Sequence, residues 1–194
     1  MSRLSMTRSA LVAASLAVMT AGPVLAQSRS GFWMDFGIGH GGLRLTCVAC
    51  NAAKYGGHTA TLSIGGSTER NVLLGLEGQV WTGDRGPKQS VSTLTAVVQW
   101  YPTKPGGFFL RGGTGIVRGR VARSDSSAQE QTVRGSGVTL SFGAGYDVPI
   151  GRRFAVTVQV AEHVAALGDL KLPGITFKDT IAYVLRFSAS ITLR

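Results

Sequence analysis

Residues 181–193 read IAYVLRFSASITL and alternate in character along their whole length. Every odd-numbered position from Ile181 to Leu193 is apolar, whereas the even-numbered positions are mostly small or hydroxylated and include Arg186. Because side chains of a β-strand point to opposite faces with a period of two, the pattern predicts a strand with one apolar side. Its length exceeds the ~9–11 residues with which a tilted strand crosses a bilayer. The stretch therefore predicts a membrane-spanning barrel strand, with lipid outside and a narrow polar lumen inside.

The same alternation recurs along the chain. It defines eight segments, at residues 32–39, 58–65, 72–81, 92–101, 108–117, 138–148, 154–161 and 181–193. The intervening connections alternate in length: long at 40–57, 82–91, 118–137 and 162–180, and short at 66–71, 102–107 and 149–153. Short periplasmic turns and longer outer loops are typical of outer-membrane barrels. We therefore predict an all-β fold, an eight-stranded antiparallel up-and-down transmembrane β-barrel.

The N-terminus has the features of a secretory signal peptide. Arg3 and Arg8 precede an apolar run at residues 10–19, which is too short to span a bilayer as a helix. Val24 and Ala26 place small or compact residues before a predicted cleavage point. We expect residues 1–26 to be a signal peptide that is removed, and residues 27–194 to form the barrel domain.

Composition narrows the class of protein further. The chain has 194 residues, 15 % of them charged, with 27 glycines and 20 Lys+Arg against 10 Asp+Glu. A basic balance suits anionic lipid or lipopolysaccharide as well as nucleic acid, but no basic run is present, so we expect no nucleic-acid partner. A soluble periplasmic lipocalin-like binder is the alternative fold. The solvent-exposed faces of the strands in such a binder would carry Lys and Glu. However, none of the eight segments contains a Lys.

Loose aromatic–glycine patterns in the mature chain resemble a known family. They lie at residues 31–33, 74–77, 107–113 and 142–147. In these patterns the chain is similar to the small outer-membrane β-barrel proteins related to the OmpA membrane domain and to OmpX. The resemblance implies the outer membrane of a bacterium with two membranes, and the barrel assembly machinery as a partner. Those barrels usually end in an aromatic residue, whereas this chain ends in Leu193-Arg194 and its last aromatic is Phe187.

Five charged residues fall on the predicted inward face. Because buried charges are costly unless they are paired, we expect them to form one network. Such a network would fill the lumen of an eight-stranded barrel, and the alternative is a gated path for ions through a small pore. The five residues are Asp35, Glu77, Arg111, Asp147 and Arg186.

Cys47 and Cys50 lie in the first long connection. Export to an oxidising compartment favours a local disulfide between them. His40 and His58 lie at the two ends of the same connection, so a Cys₂His₂ metal site is the weaker alternative. Apart from that alternative we expect no metal and no cofactor.

A lipid A-modifying enzyme would need a nucleophile paired with a histidine. The lipid A deacylases share a His-x-Ser pair, and none of the three histidines has a serine at that spacing. We therefore expect no catalytic residues.

Basic residues outnumber acidic residues in the predicted outer loops. Arg118 and Arg120 continue the fifth segment on its lipid-facing phase, so they should emerge near the lipid headgroups. Arginine binds phosphate with two parallel hydrogen bonds, which suits lipopolysaccharide as the partner. The predicted function is a structural or surface-interaction role in the outer membrane, as a monomer.

Overall fold

In the computed structural model, the described residues are 31–46, 53–69, 71–84, 88–103, 106–124, 130–172 and 175–194. They form eight strands that close into one barrel, each strand pairing antiparallel with its neighbours in the sequence and β1 pairing with β8. In the described part of the chain, no helix has the length and apolar character needed to cross a bilayer. The strands are β1 Phe32–Thr46, β2 Ala53–Glu69, β3 Val72–Gly83, β4 Lys88–Trp100, β5 Phe108–Ser124, β6 Glu130–Pro149, β7 Phe154–Leu172 and β8 Ile175–Leu193. The predicted all-β barrel is thus confirmed.

The register fixes the stagger of the strands. Following paired residues from Phe36 once round the barrel returns to β1 at Thr46, ten residues further along. For eight strands this stagger corresponds to a tilt of about 40°, within the range of closed barrels. The interior of such a barrel is only wide enough for side chains to fill it.

The apolar faces of the strands point outward, as predicted. Phe36, Val138 and Phe187 expose 59 %, 64 % and 62 % of their surface, whereas alternate residues are buried. Around the barrel the exposed apolar residues form a continuous belt. Large exposed apolar surfaces mark an interaction with protein or membrane, and a belt that encircles a closed barrel suits the lipid of a bilayer.

The prediction of long loops between the strands is wrong, because most of those residues extend the strands. Most of residues 40–57, 82–91, 118–137 and 162–180 belong to strands, which leaves only 47–52, 84–87, 125–129 and 173–174 between strands at that end. The apolar alternation stops where the lipid would stop, but the hydrogen-bonded ladder continues above it. Because the ladder satisfies backbone N–H and C=O groups without an apolar face, sequence pattern underestimates these strands.

Glycines on the inward face make room for the largest lumenal side chains. A Cβ added to Gly145 would lie 2.4 Å from Cζ of Phe109, and one added to Gly57 would lie 2.6 Å from Cε2 of Trp81. Both distances are shorter than any real carbon–carbon contact. Gly145 and Gly57 therefore make room for Phe109 and Trp81 in the lumen.

Candidate functional site

Glu77 on β3 lies at the centre of the lumen and is only 1 % exposed. Its Oε2 accepts a hydrogen bond from Nη2 of Arg186 at 2.8 Å. The same oxygen lies 3.0 Å from Nη2 of Arg111. Arg186 also donates to Oε1 of Gln79 at 2.5 Å, and Arg111 donates to Oγ of Ser63 at 3.0 Å. Paired, hydrogen-bonded geometry of this kind offsets the cost of removing charges from water. We call these residues, together with His163, the central charge cluster.

His163 belongs to the central charge cluster, although the sequence pattern placed it in an outer loop. Its Nε2 lies 3.7 Å from Oε1 of Glu77, and the residue is fully buried. Because Glu162 interrupts the apolar face, the pattern predicts that the seventh strand ends at Ala161, but β7 continues to Leu172. His163 follows Ala161 by two residues, so the alternation of the seventh segment, if continued, places it on the inward face.

A second group of polar side chains lies nearer the end of the barrel where β1 begins and β8 ends. Asp147 accepts hydrogen bonds from Oη of Tyr101 and Oγ1 of Thr157, each at 2.6 Å, and forms an ion pair with Arg194. The Arg194 guanidinium also lies over the Tyr101 ring, 5.4 Å from its centroid. We call this group the lower charge cluster.

Asp35 joins the lower charge cluster through two threonines. Oγ1 of Thr192 donates to Oδ2 of Asp35 at 2.8 Å and lies 2.8 Å from Oγ1 of Thr157. The five predicted residues therefore divide into two clusters rather than one network. Arg194 was missed because it follows the last strand, although it continues the inward phase of Arg186 and Thr192.

The described lumen is balanced in charge. Three carboxylates face three guanidiniums, and all six residues have side chains that are buried or nearly so. A lumen with equal numbers of fixed charges needs no counter-ion from solvent. The acids are Asp35, Glu77 and Asp147, and the bases are Arg111, Arg186 and Arg194.

Apolar clusters close the lumen above and below the central charge cluster. Along β3 the order is Leu73 in the lower apolar cluster, then Glu77, then Trp81 in the upper apolar cluster. Trp81 is fully buried, and its indole N–H donates to the Gly41 carbonyl at 3.2 Å. The lower apolar cluster consists of Trp33, Leu73, Tyr101 and Phe109. The upper apolar cluster consists of Leu43, Trp81, Val91, Val117, Ala165, Leu167, Ala182 and Val184.

Little empty space remains between these layers. A cavity beside Asp35 and Arg111 has a volume of about 10 Å³, which is room for one water molecule at most. Around this cavity, the described lumenal side chains therefore pack closely against one another.

Basic side chains cluster on the outside of the barrel, above the apolar belt. Arg118 and Arg120 of β5 are both exposed, and Arg118 follows the exposed Ile116 on the same face. Arg120 lies directly opposite Arg134 of β6 in the register. Among the residues whose side chains the structure describes, no acidic side chain lies within 4.0 Å of these three arginines. We call Arg118, Arg120 and Arg134 the arginine triangle.

The two other histidines face each other across β1 and β2. His40 and His58 are register partners, and both contact Asp84, which follows β3. Cys47 and Cys50 lie outside the described residues, so the predicted disulfide stays a prediction. The ladder continues six residues beyond His40 to Thr46, about 20 Å of strand, and both cysteines follow Thr46 in the sequence.

No protein-family model matches the chain, and no curated protein matches it. Solved structures do resemble it. Neisserial surface protein A has a TM-score of 0.56 and 11% sequence identity, over 84% of this chain and 97% of that chain.

Ail, the attachment invasion locus protein of Yersinia pestis, gives a similar result. Its structure in complex with the heparin analogue sucrose octasulfate has a TM-score of 0.57 and 12% identity, over 84% of this chain and 99% of that chain. At such identities the likeness concerns the fold. The closed eight-stranded topology, the apolar belt and the buried lumenal side chains agree with that fold, so the chain has the fold of the small eight-stranded β-barrels of the bacterial outer membrane.

Proposed function

We propose that this barrel is a non-conducting surface protein whose arginine triangle binds the phosphates of lipopolysaccharide in the outer leaflet. The observation that carries the proposal is the register pair Arg120–Arg134, with Arg118 two residues away on the same face. Directly opposed like charges destabilise an antiparallel pair. A bound anion would neutralise that repulsion, so the opposed arginines favour an anion-binding site.

The position of the triangle suits a phosphate of a lipid headgroup. Ile116 and Val138, which lie just below it on β5 and β6, expose 55 % and 64 % of their surface to the lipid side. Side chains one step higher would lie in the headgroup layer. Guanidinium groups bind phosphate bidentately, so three arginines within reach of one another can hold one or two phosphates.

A second basic pair supports the same role. Arg44 and Lys54 are exposed register partners on β1 and β2, again with like charges opposed. Ail, which shares the fold, binds a sulfated heparin analogue in its crystal structure. For the present chain we propose phosphate rather than sulfate, because the basic residues lie at headgroup height rather than in the loops.

Pore and enzyme functions have less support. The apolar clusters at both ends of the lumen argue against conduction, and His163 is enclosed between them. A monomer, insertion by the barrel assembly machinery and the signal peptide at residues 1–26 remain predictions.

The test compares the double variant Arg118→Ala, Arg120→Ala with the wild type. Thermal unfolding is measured in neutral detergent with and without lipopolysaccharide. We expect lipopolysaccharide to raise the Tm of the wild type more than that of the variant. The matched control is Arg152→Ala, Arg153→Ala, two exposed arginines in a periplasmic turn, which should keep the full effect.

Lipid A that lacks its phosphates provides the second arm. It should stabilise wild type and variant to the same small extent, because the proposed contact is to phosphate. Equal stabilisation of all three proteins by intact lipopolysaccharide would rule out the arginine triangle as its binding site.

A further inference from the structure

His40, His58 and Asp84 form a compact group on the outside of the barrel, at the upper edge of the apolar belt. His40 follows Ile38 on β1, and Ile38 exposes 65 % of its surface to the lipid side. The ligand atoms of the three side chains all lie within 4.8 Å of one another. Neither the central charge cluster nor the arginine triangle uses these residues.

The distances between the ligand atoms are close to those of a metal site. Nε2 of His58 lies 3.1 Å from Oδ1 of Asp84, and Nδ1 of His40 lies 4.0 Å from Oδ2. Two ligands bound to tetrahedral zinc at 2.0–2.1 Å are about 3.3 Å apart. The observed distances lie on either side of that value, and the imidazoles are 61% and 75% exposed, so they can turn without disturbing the core.

The backbone holds the three residues in place. His40 and His58 are directly paired, with ring centroids 5.4 Å apart. The Asp84 N–H donates to the Gly56 carbonyl at 3.0 Å, which continues the β2–β3 ladder past the end of β3. Two of the ligands therefore lie on adjacent strands, and the third is held to β2 by a backbone hydrogen bond directly after β3. Rigid strands position ligands more accurately than loops do.

Gly56 leaves the space between the ligands open. A Cβ at this position would lie 3.7 Å from Oδ2 of Asp84 and 3.7 Å from Nε2 of His40. A longer side chain would enter the volume that an ion bound between these residues would need.

We propose that His40, His58 and Asp84 bind a divalent ion of the zinc class at the outer edge of the barrel. Two imidazoles and one carboxylate suit zinc, copper or nickel, whereas calcium and magnesium prefer oxygen ligands. Three protein ligands leave the fourth position of a tetrahedral ion open to water. The Cys₂His₂ alternative is replaced here by a site in which Asp84 is the third ligand.

The test uses the mature protein purified without a polyhistidine tag and folded in detergent. Zn²⁺ affinity is measured by isothermal titration calorimetry, and Cu²⁺ is used as a spectroscopic probe in electron paramagnetic resonance. We expect one ion per barrel and a Cu²⁺ spectrum split by two nitrogen ligands. His40→Ala, His58→Ala and Asp84→Asn should each weaken binding at least tenfold, roughly the loss seen when metal-site partners are removed.

Two controls share the surroundings of the site without its ligands. Thr82→Ala lies on the same face of β3, and Cys47→Ser, Cys50→Ser removes both thiols. Both should bind Zn²⁺ like the wild type. Zn²⁺ binding that survives the double variant His40→Ala, His58→Ala, or that disappears in the cysteine variant alone, would overturn the proposal. Absence of binding to the wild type would do so as well.

Discussion

At the scale of single residues, Glu77 decides whether the lumen is stable. Its carboxylate contacts two buried guanidiniums, which have no other carboxylate within 4.0 Å in the described residues. Removing one partner of a buried ion pair costs more than the pair itself contributes, because the remaining charge is left unpaired.

Glu77→Ala should therefore destabilise the barrel by about 3–5 kcal/mol. The measurement is reversible urea unfolding in lipid vesicles, followed by tryptophan fluorescence. Glu69→Gln, at an exposed position near a periplasmic turn, is the control and should change stability by about 0.5 kcal/mol or less. A Glu77→Ala barrel as stable as the control would contradict the pairing.

Arg194 links to Asp147 and Tyr101 at the end of the lumen where β8 ends. Arg194→Ala should cost about 1.5–3 kcal/mol, as expected for loss of hydrogen bonds to a charged group. The same unfolding assay measures it, with the exposed Arg153→Ala as the matched arginine control. If both variants lose the same stability, Arg194 has no special role at that end.

At the scale of strands, β5 and β6 show how glycine and aromatic side chains share the lumen. Gly145→Ala would bring a methyl group to 2.4 Å from Phe109 and should cost about 1–3 kcal/mol through overpacking. Gly151→Ala, which has no atom within 4 Å of the added carbon, is the control. The further change Phe109→Leu should recover part of the loss, and a purely additive double variant would contradict direct contact.

The outward face of β4 tests the extent of the apolar belt. Ala96 lies between the exposed Leu94 and Val98, whereas Ser92 lies above Leu94. Ala96→Arg should destabilise the barrel by about 2–4 kcal/mol in a bilayer, because the cost of an arginine depends on its depth. Ser92→Arg should cost only about 0–1 kcal/mol, most of it from repulsion by Arg118, the register partner of Ser92. Equal costs would show that Ser92 is as deep in the lipid as Ala96.

At the scale of the whole molecule, apolar clusters lie in the lumen above and below the central charge cluster. We expect the protein to be silent in planar bilayers, with no discrete conductance steps, while a large porin in the same set-up gives the positive control. Reproducible steps that disappear when the protein is omitted would show that the lumen opens.

The sequence alone determined the barrel because each strand must present lipid on one side and a narrow lumen on the other. This requirement produces an alternation of apolar and polar residues, as from Ile181 to Leu193. Such an alternation can be recognised in the sequence without the tertiary structure. It also assigned Asp35, Glu77, Arg111, Asp147 and Arg186 to the inward face, because parity along a strand sets which side a residue faces.

Only the tertiary structure decided which of these charges meet and how far the strands extend. Whether Arg186 contacts Glu77 or Asp147 depends on the stagger between strands that are distant in sequence. Parity carries no information about stagger. Above the lipid the outward face no longer has to be apolar, so the ladder continues without a pattern. That is why the contact between His163 and Glu77, and the meeting of His40, His58 and Asp84, follow only from the folded barrel.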